Sequence, residues 1–338
     1  MSLEDKVKVL WRICFDDTPD FVNLYFQLRY KDDRNMGIMK DGQLLSALQI
    51  IPYEMNSWGT FFHAAYLSGV CTNPFVRKQG LMRQLLGDTH RRLYAEDCSV
   101  STLIPAEPWL FDCYAKSGYA PLFYYDWTTV TPKADDEDDA SIYVSSYKDN
   151  AVGVYQYFYW SMRERPCCIQ HTTDDFTVIM SDLYLSKGEL WVARLTKTDE
   201  VCGVAFCIPQ ADNCRINELM ADNDSISRAL VCHACRQCHV ESAEVIHPSD
   251  NNAHRLGMLR IVRLDDILAR YAEAHPTEER CWLITDPEIP ENNGCFQIQK
   301  GEYRLLDKPV PDAPTLTIGQ LASLLWRDDH PYMSLMLN

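Results

Sequence analysis

Apolar residues recur at three- and four-residue spacing over 3–15 and 19–29, the period of an amphipathic helix, and Thr18-Pro19 offers an N-cap followed by a first-turn residue. The run MGIMKDGQLLSALQIIPYEM then splits into two apolar stretches around Asp41-Gly42, a hairpin signal. Residues 59–73 (GTFFHAAYLSGVCTN) read as one long buried strand. A helix at about 79–95 carries Met82, Leu86, Thr89 and Leu93 on one face, 99–105 reads as a strand, WLFDCYAKSGY as a short helix ended by Gly118, and APLFYYDWTTVT as a last strand.

The pattern then breaks. Lys133 to Ser141 is almost all acid and alanine, which repels itself and buries nothing. It predicts a solvated linker, with a cation site as the other reading. The alternation resumes over 142–255 with helices near 149–163, 173–186 and 224–239 and the strands ELWVARL, EVCGVAFCIP, RINELMA and AEVIHP. From 256 to 338 it gives one clear helix (Asp265 to Ala274), the strand-like runs CWLITD, GCFQIQ and EYRLLD, and a late helix in TIGQLASLLW. The expected organisation is therefore 1–132, a linker at 133–141, then 142–255 and 256–338, each of α/β or α+β character.

A chain of 338 residues fits two or three domains, and with 46% hydrophobic and 24% charged residues its composition is that of a globular protein. No window approaches the roughly 20 apolar residues of a membrane span. The N-terminus scatters charges where a signal peptide needs an apolar core, so a cytoplasmic location is expected. The fourteen cysteines, irregularly spaced, then read as reduced thiols. A formal net charge of −16 argues against nucleic-acid or anionic-membrane partners and permits a cationic substrate.

One junction carries chemistry. The apolar strand is followed by VRKQGLMRQLL, a basic cluster and one glycine where a helix begins. A helix start has backbone N–H groups without partners and the positive dipole end, so it accepts an anion; Gly80 permits close approach and Arg77 and Lys78 add charge. The run is neither GxxxxGK[ST] nor GxGxxG, and by itself a plain basic helix start explains it as well.

With its context, GVCTNPFVRKQGLMRQLL followed by CYAKSGYAPLF resembles the GNAT superfamily of acetyl-CoA-dependent N-acetyltransferases. That resemblance implies that Arg77, Lys78, Gln79, Gly80, Leu81 and Met82 form the pyrophosphate loop, and that Val70 and Thr72 flank the pantetheine arm. Met82 stands where the family has Gly or Ala, a departure that suits the enhanced intracellular survival (Eis) type. The Eis-type resemblance implies tandem GNAT folds, the second degenerate, and a C-terminal sterol-carrier-protein-like α+β domain. It also implies dimers or hexamers, acetyl-CoA as cosubstrate and no metal.

Acetyl transfer needs a neutral amine, a polarised thioester carbonyl and a proton for the departing thiolate. Tyr114 matches the family tyrosine that supplies the proton; its other reading is a packing ring. A bend or bulge at Gly69, Val70 and Cys71 would present a backbone N–H to the carbonyl. Cys71 reads as a buried thiol before an acyl-cysteine, and His63 as a strand histidine before a base. In Eis-type enzymes the terminal carboxylate enters the site, which here implies that of Asn338, either to orient the ammonium or simply as a packed tail. Cys232, Cys235 and Cys238 lie on one predicted helix at spacings that cannot converge on one ion, so they read as core cysteines. The acceptor is an amine of a small cationic molecule or of a lysine, with Asp16, Asp17, Asp20, Asp32 and Asp33 as acids that could attract it. The alternative is a non-catalytic acyl-CoA or lipid binding protein.

Overall fold

A computed structural model describes residues 1–132, 140–249, 251 and 253–337. The acidic run at 133–139 and Asn338 lie outside the described residues. The elements in chain order are α1 (Leu3–Cys14), α2 (Pro19–Leu28), β1 (Asn35–Lys40), β2 (Gln43–Ser57), β3 (Thr60–Thr72), α3 (Leu81–Ala95), β4 (Val100–Leu103), α4 (Pro108–Ala115) and β5 (Ala120–Val130). Next come β6 (Ile142–Ser146), α5 (Val154–Glu164), β7 (Cys168–Gln170), α6 (Thr173–Leu185), β8 (Glu189–Leu195), β9 (Val201–Pro209), β10 (Cys214–Ala221), α7 (Asp224–Cys238) and β11 (Ala243–Pro248). The chain closes with β12 (His254–Ile261), α8 (Leu264–Ala274), β13 (Arg280–Thr285), β14 (Gly294–Gln299), β15 (Glu302–Leu306), β16 (Thr315–Thr317) and α9 (Ile318–Leu325).

Contacts gather these elements into two compact units, residues 1–123 with 255–331 and residues 124–254 with 332–337. In the first, β1, β2 and β3 form an antiparallel meander. β3 then runs parallel to β4, and β4 pairs antiparallel with β12, Met258 opposite Leu103. Leu85, Leu86 and Leu93 of α3 pack on this sheet with Leu48, Ala65, Leu67 and Leu103, all nearly or fully buried. A second sheet, in the order β15, β14, β13, β16, belongs to the same unit. α9 is fixed by Thr317, whose hydroxyl accepts from Gln320 N in a capping box, and Trp326 just beyond it stacks on Trp58 at 4.7 Å.

In the second unit, β8 and β9 and then β9 and β10 pair antiparallel, β10 and β11 pair parallel, and β11 meets residues 125–130 of β5 antiparallel. Phe158, Phe176, Val192, Val204 and Phe206 form one core and Leu230, Val231, Ala205 and Ile216 another. Each unit is thus a mixed α/β assembly. Among the described residues no helix is long and apolar enough to cross a membrane.

Most expected elements are present with ends moved by a residue or two: the strand at 59–73 is Thr60–Thr72, and the helix at 79–95 begins at Leu81. The helix expected at 149–163 begins at Val154, because Gly153 adopts a left-handed φ of 76° ahead of it. LGMLRIVRL, which opens the last segment, is largely β12.

Candidate functional site

β3 is regular until Ser68 and then changes register: Gln49 faces Ser68 but Ala47 faces Cys71, so β3 carries one extra residue. Gly69 in this bulge has φ 60°, and a Cβ there would lie 2.3 Å from the indole of Trp11. Glycine is required twice over, by the backbone conformation and by the tryptophan. Trp11 is itself held by its indole N–H, which donates to Asp17 Oδ2 at 2.7 Å. Pairing with β4 covers only Ala64 to Tyr66, so beyond Tyr66 β3 leaves its parallel neighbour and its last residues border open space.

The chain leaves β3 through Asn73, whose Oδ1 accepts from Phe75 N at 3.1 Å, and one 3-10 turn, Pro74–Val76. Arg77 folds back, donating from Nε to the carbonyl of Thr72 at 3.1 Å. Lys78 and Gly80 both take positive φ, 64° and 82°, and Gly80 caps α3 with no side-chain hydrogen bond to its first turn. In contrast, α7 starts from Asn223, whose side chain accepts from Ile226 N. The opening N–H groups of α3 are therefore left to an external acceptor, next to the exposed cations Arg77 and Lys78.

These features line one cavity of about 960 Å³. Val70, Cys71 and Thr72 contribute from β3; Arg77, Lys78, Gly80, Leu81, Met82 and Arg83 from the loop and α3. The end of α1 adds Cys14, Phe15 and Asp16, and the α4 region adds Trp109, Leu110, Cys113 and Lys116 among others. Positive charge gathers at the α3 mouth and apolar surface fills much of the rest, as a long ligand with an anionic segment requires.

Of the expected site residues, seven line this cavity: Val70, Thr72, Arg77, Lys78, Gly80, Leu81 and Met82. Gln79 is exposed but does not line it. Tyr114 lies behind the wall, 4% exposed, with its ring edge-on to Tyr119 at 6.0 Å. Burial raises its phenol pKa and the cavity-lining thiols of Cys113 and Cys71 add to this, which keeps the proton on oxygen. Asn338 lies outside the described residues. His63 is exposed on β3, Ser68 is buried, and neither lines the cavity.

Cys14 carries no signal in the sequence, yet it lines the cavity. Its thiol donates to the carbonyl of Thr72 at 3.5 Å. A hydrogen bond from Cys71, together with the charge of Arg77, brings its pKa down to about 7. The same pairing, with burial, pushes the Cys71 thiol well up. The activated thiol is thus Cys14 and not Cys71. No spacing in the sequence announces a contact between residues so far apart; only the fold does. Trp109 and Cys113 were likewise legible only as helix residues.

Residues 2–122 match the family model described as acetyltransferase (GNAT) domain. Among solved structures, the chain resembles a probable N-acyltransferase from Enterococcus faecalis V583, with TM-score 0.76 and 18% identity over 96% of this chain and 87% of that one. It also resembles a GCN5-related N-acetyltransferase from Anabaena variabilis, TM-score 0.74 and 15% identity over 98% and 97%. Eis1 from Mycobacterium abscessus follows the same fold, TM-score 0.73 and 13% identity over 96% and 87%. No curated protein matches the chain in sequence. Residues 2–122 thus match a GNAT acetyltransferase domain, and the chain as a whole shares the fold of these proteins.

Proposed function

We propose that the protein transfers the acetyl group of acetyl-CoA to an amine of a small cationic molecule or a lysine. The observation that carries this reading is the single cavity at the β3 bulge, which joins an uncapped, cation-flanked helix start to an apolar trough. In this reading the loop from Arg77 to Met82 receives the pyrophosphate, and Val70 and Thr72 border the pantetheine. The carbonyl is polarised from the backbone beside Gly69. The lone pair of the neutral amine attacks the thioester carbon, the C–S bond breaks as Tyr114 gives its proton to the leaving sulfur, and the proton shed by the nitrogen returns through water to the phenolate, leaving amide and free thiol. Burial keeps the phenol of Tyr114 protonated until the sulfur departs. Asp16 on the cavity wall is the acid best placed among those expected to attract a cation.

The finer reading is an Eis-type enzyme with tandem GNAT folds over 1–132 and 142–255 and a sterol-carrier-like segment over 256–338. The side-chain cap on α7, where α3 has none, supports a second copy that has lost its anion site. The terminal carboxylate of Asn338 then orients the acceptor ammonium, and glycines added after it should lower turnover without weakening coenzyme binding. Thiol release from acetyl-CoA in the presence of a panel of polyamines, aminoglycosides and lysine peptides tests the proposal. Tight coenzyme binding with no turnover on any amine would instead leave a non-catalytic acyl-CoA binding protein.

A further inference from the structure

Three cysteines of the second unit gather between the β9–β10 hairpin and the end of α7, with a fourth, Cys235, beside one of them. In the hairpin register Ile216 faces Cys207, and Cys214 lies two residues from Ile216, so both thiols leave the same side of the sheet. Cys235 and Cys238, three positions apart, share one side of α7. The sulfurs of Cys207, Cys214 and Cys238 all lie within 4.8 Å of one another. Cys207 and Cys238 sulfurs are 3.9 Å apart, and those of Cys214 and Cys235 are 4.0 Å apart.

We propose that Cys207, Cys214, Cys235 and Cys238 form a binding site for a soft divalent cation, zinc, that ties α7 to the β9–β10 hairpin. A tetrahedral zinc with Zn–S bonds of ~2.3 Å separates its sulfurs by about 3.8 Å, close to the Cys207–Cys238 and Cys214–Cys235 spacings. Disulfides, with sulfurs roughly 2 Å apart, are not formed: all four are free thiols. The helical pair has the C-x2-C spacing common at metal sites, and the hairpin brings Cys207 and Cys214, with six residues between them in the chain, to the same side of the sheet. Cys232, the third cysteine of the helical run, plays no part, which agrees with the expectation that three cysteines of one helix cannot meet on one ion. The missing partners come from two strands. Cys238 is the last residue of α7, where the negative end of the helix dipole favours a cation.

Binding replaces the proton of each ligating thiol by the cation, and those protons leave to solvent. Cys207, Cys214 and Cys235 are nearly or fully buried among apolar side chains, which keeps water from competing with sulfur. No catalytic step is assigned to this cluster.

The test uses the full chain, purified under reducing conditions without chelator. Its zinc content is measured, and cobalt(II) is then added to the metal-depleted protein. One zinc per chain, and intense thiolate-to-cobalt absorption with tetrahedral visible bands, are the expected results. Replacing Cys214 and Cys238 together by Ser should abolish stoichiometric binding, whereas Cys281→Ser, at the separate thiol pair Cys281 and Cys295, should leave it intact. A full chain that takes up no zinc above trace, or that shows only weak octahedral cobalt bands, overturns the proposal with no variant needed. So does a folded Cys214→Ser, Cys238→Ser protein that still binds one zinc.

Discussion

His90 Nδ1 lies 2.6 Å from Glu288 Oε2, while its Nε2 lies 3.0 Å from the hydroxyl of Tyr119, which in turn lies 2.7 Å from Ser101 Oγ. Burial, the largest cause, lowers the His90 pKa to about 4 despite the carboxylate beside it. Burial works to raise Glu288, but its bonds to His90 and the charge of Arg260 outweigh it and leave the carboxyl below its usual range. The neutral ring therefore donates from Nδ1 to an ionised Glu288 and accepts from Tyr119 at Nε2. The guanidinium of Arg260 completes the group, held by both oxygens of Asp286 at 2.8 Å.

The unfolded chain protonates this histidine near pH 6.5 and the folded one only near 4, so the unfolded state binds more protons between those values. Stability should be constant above about pH 6.5 and fall as pH drops toward 4, by up to about 3 kcal/mol from this group. Glu288, also lowered, acts in the same direction at the acid end. Urea unfolding at several pH values checks this, and His90→Gln should flatten the acid limb while lowering stability at pH 7. An acid limb as steep in the variant as in the parent would assign the loss to other groups.

Gly80→Leu should raise the dissociation constant for coenzyme A at least tenfold. Nothing lies within 4 Å of a Cβ at this position, so the fold meets no clash, only the cost of a left-handed residue, about 1–2 kcal/mol. Calorimetry on the folded variant, with Tm lowered by only a few degrees, is the expected outcome; unchanged affinity would remove the loop from the binding site. Gly69→Val makes a useful contrast, since collision with Trp11 should destabilise the protein severely.

Tyr114→Phe should keep coenzyme affinity and lose roughly 10²–10⁴ in turnover, the usual worth of general acid assistance. The ring sits in an apolar cluster with Phe111 and Leu85, so loss of the hydroxyl should cost little stability. Parental turnover with a good acceptor would leave Tyr114 as a packing residue.

Cys14 should be the thiol in the cavity that alkylates first. With a pKa of about 7 its reaction with iodoacetamide should rise across pH 6 to 8, and acetyl-CoA should protect it. Peptide mapping after partial alkylation measures both. A rate that climbs only above pH 8.5, or that ignores the coenzyme, would contradict the activation by Cys71 and Arg77.

What could be read from sequence follows the range of the forces involved. The β3 strand, the glycine ahead of α3 and the basic cluster are local, fixed by apolar period and backbone conformation, and they were legible. Val70 to Thr72 and most of Val76 to Met82 also line one wall because they are close in the chain. Cys14, Asp16 and Trp109 reach the same cavity from α1 and α4 through packing that leaves no periodic trace. His90 shows the same limit: on the sequence it is one polar residue in a helix, and its partner Glu288 is 198 positions away. The cysteine cluster divides in the same way, since the helical pair was visible and its strand partners were not.

β12 has a consequence for the order in which the molecule can assemble. β4 holds only four residues, paired to β3 on one side and to β12 on the other. While the chain is being made, β1 to β4 and α3 emerge first, but the strand that shields β4 follows roughly 150 residues later. Until then a short edge that the folded chain buries stands open, with His90 lacking its carboxylate and Ser117 its arginine. A fragment ending near residue 132 would stay in that condition for good, so its natural fate is association through β4 and not an independent small enzyme. Supplying residues 255–331 as a separate chain is what should rescue it.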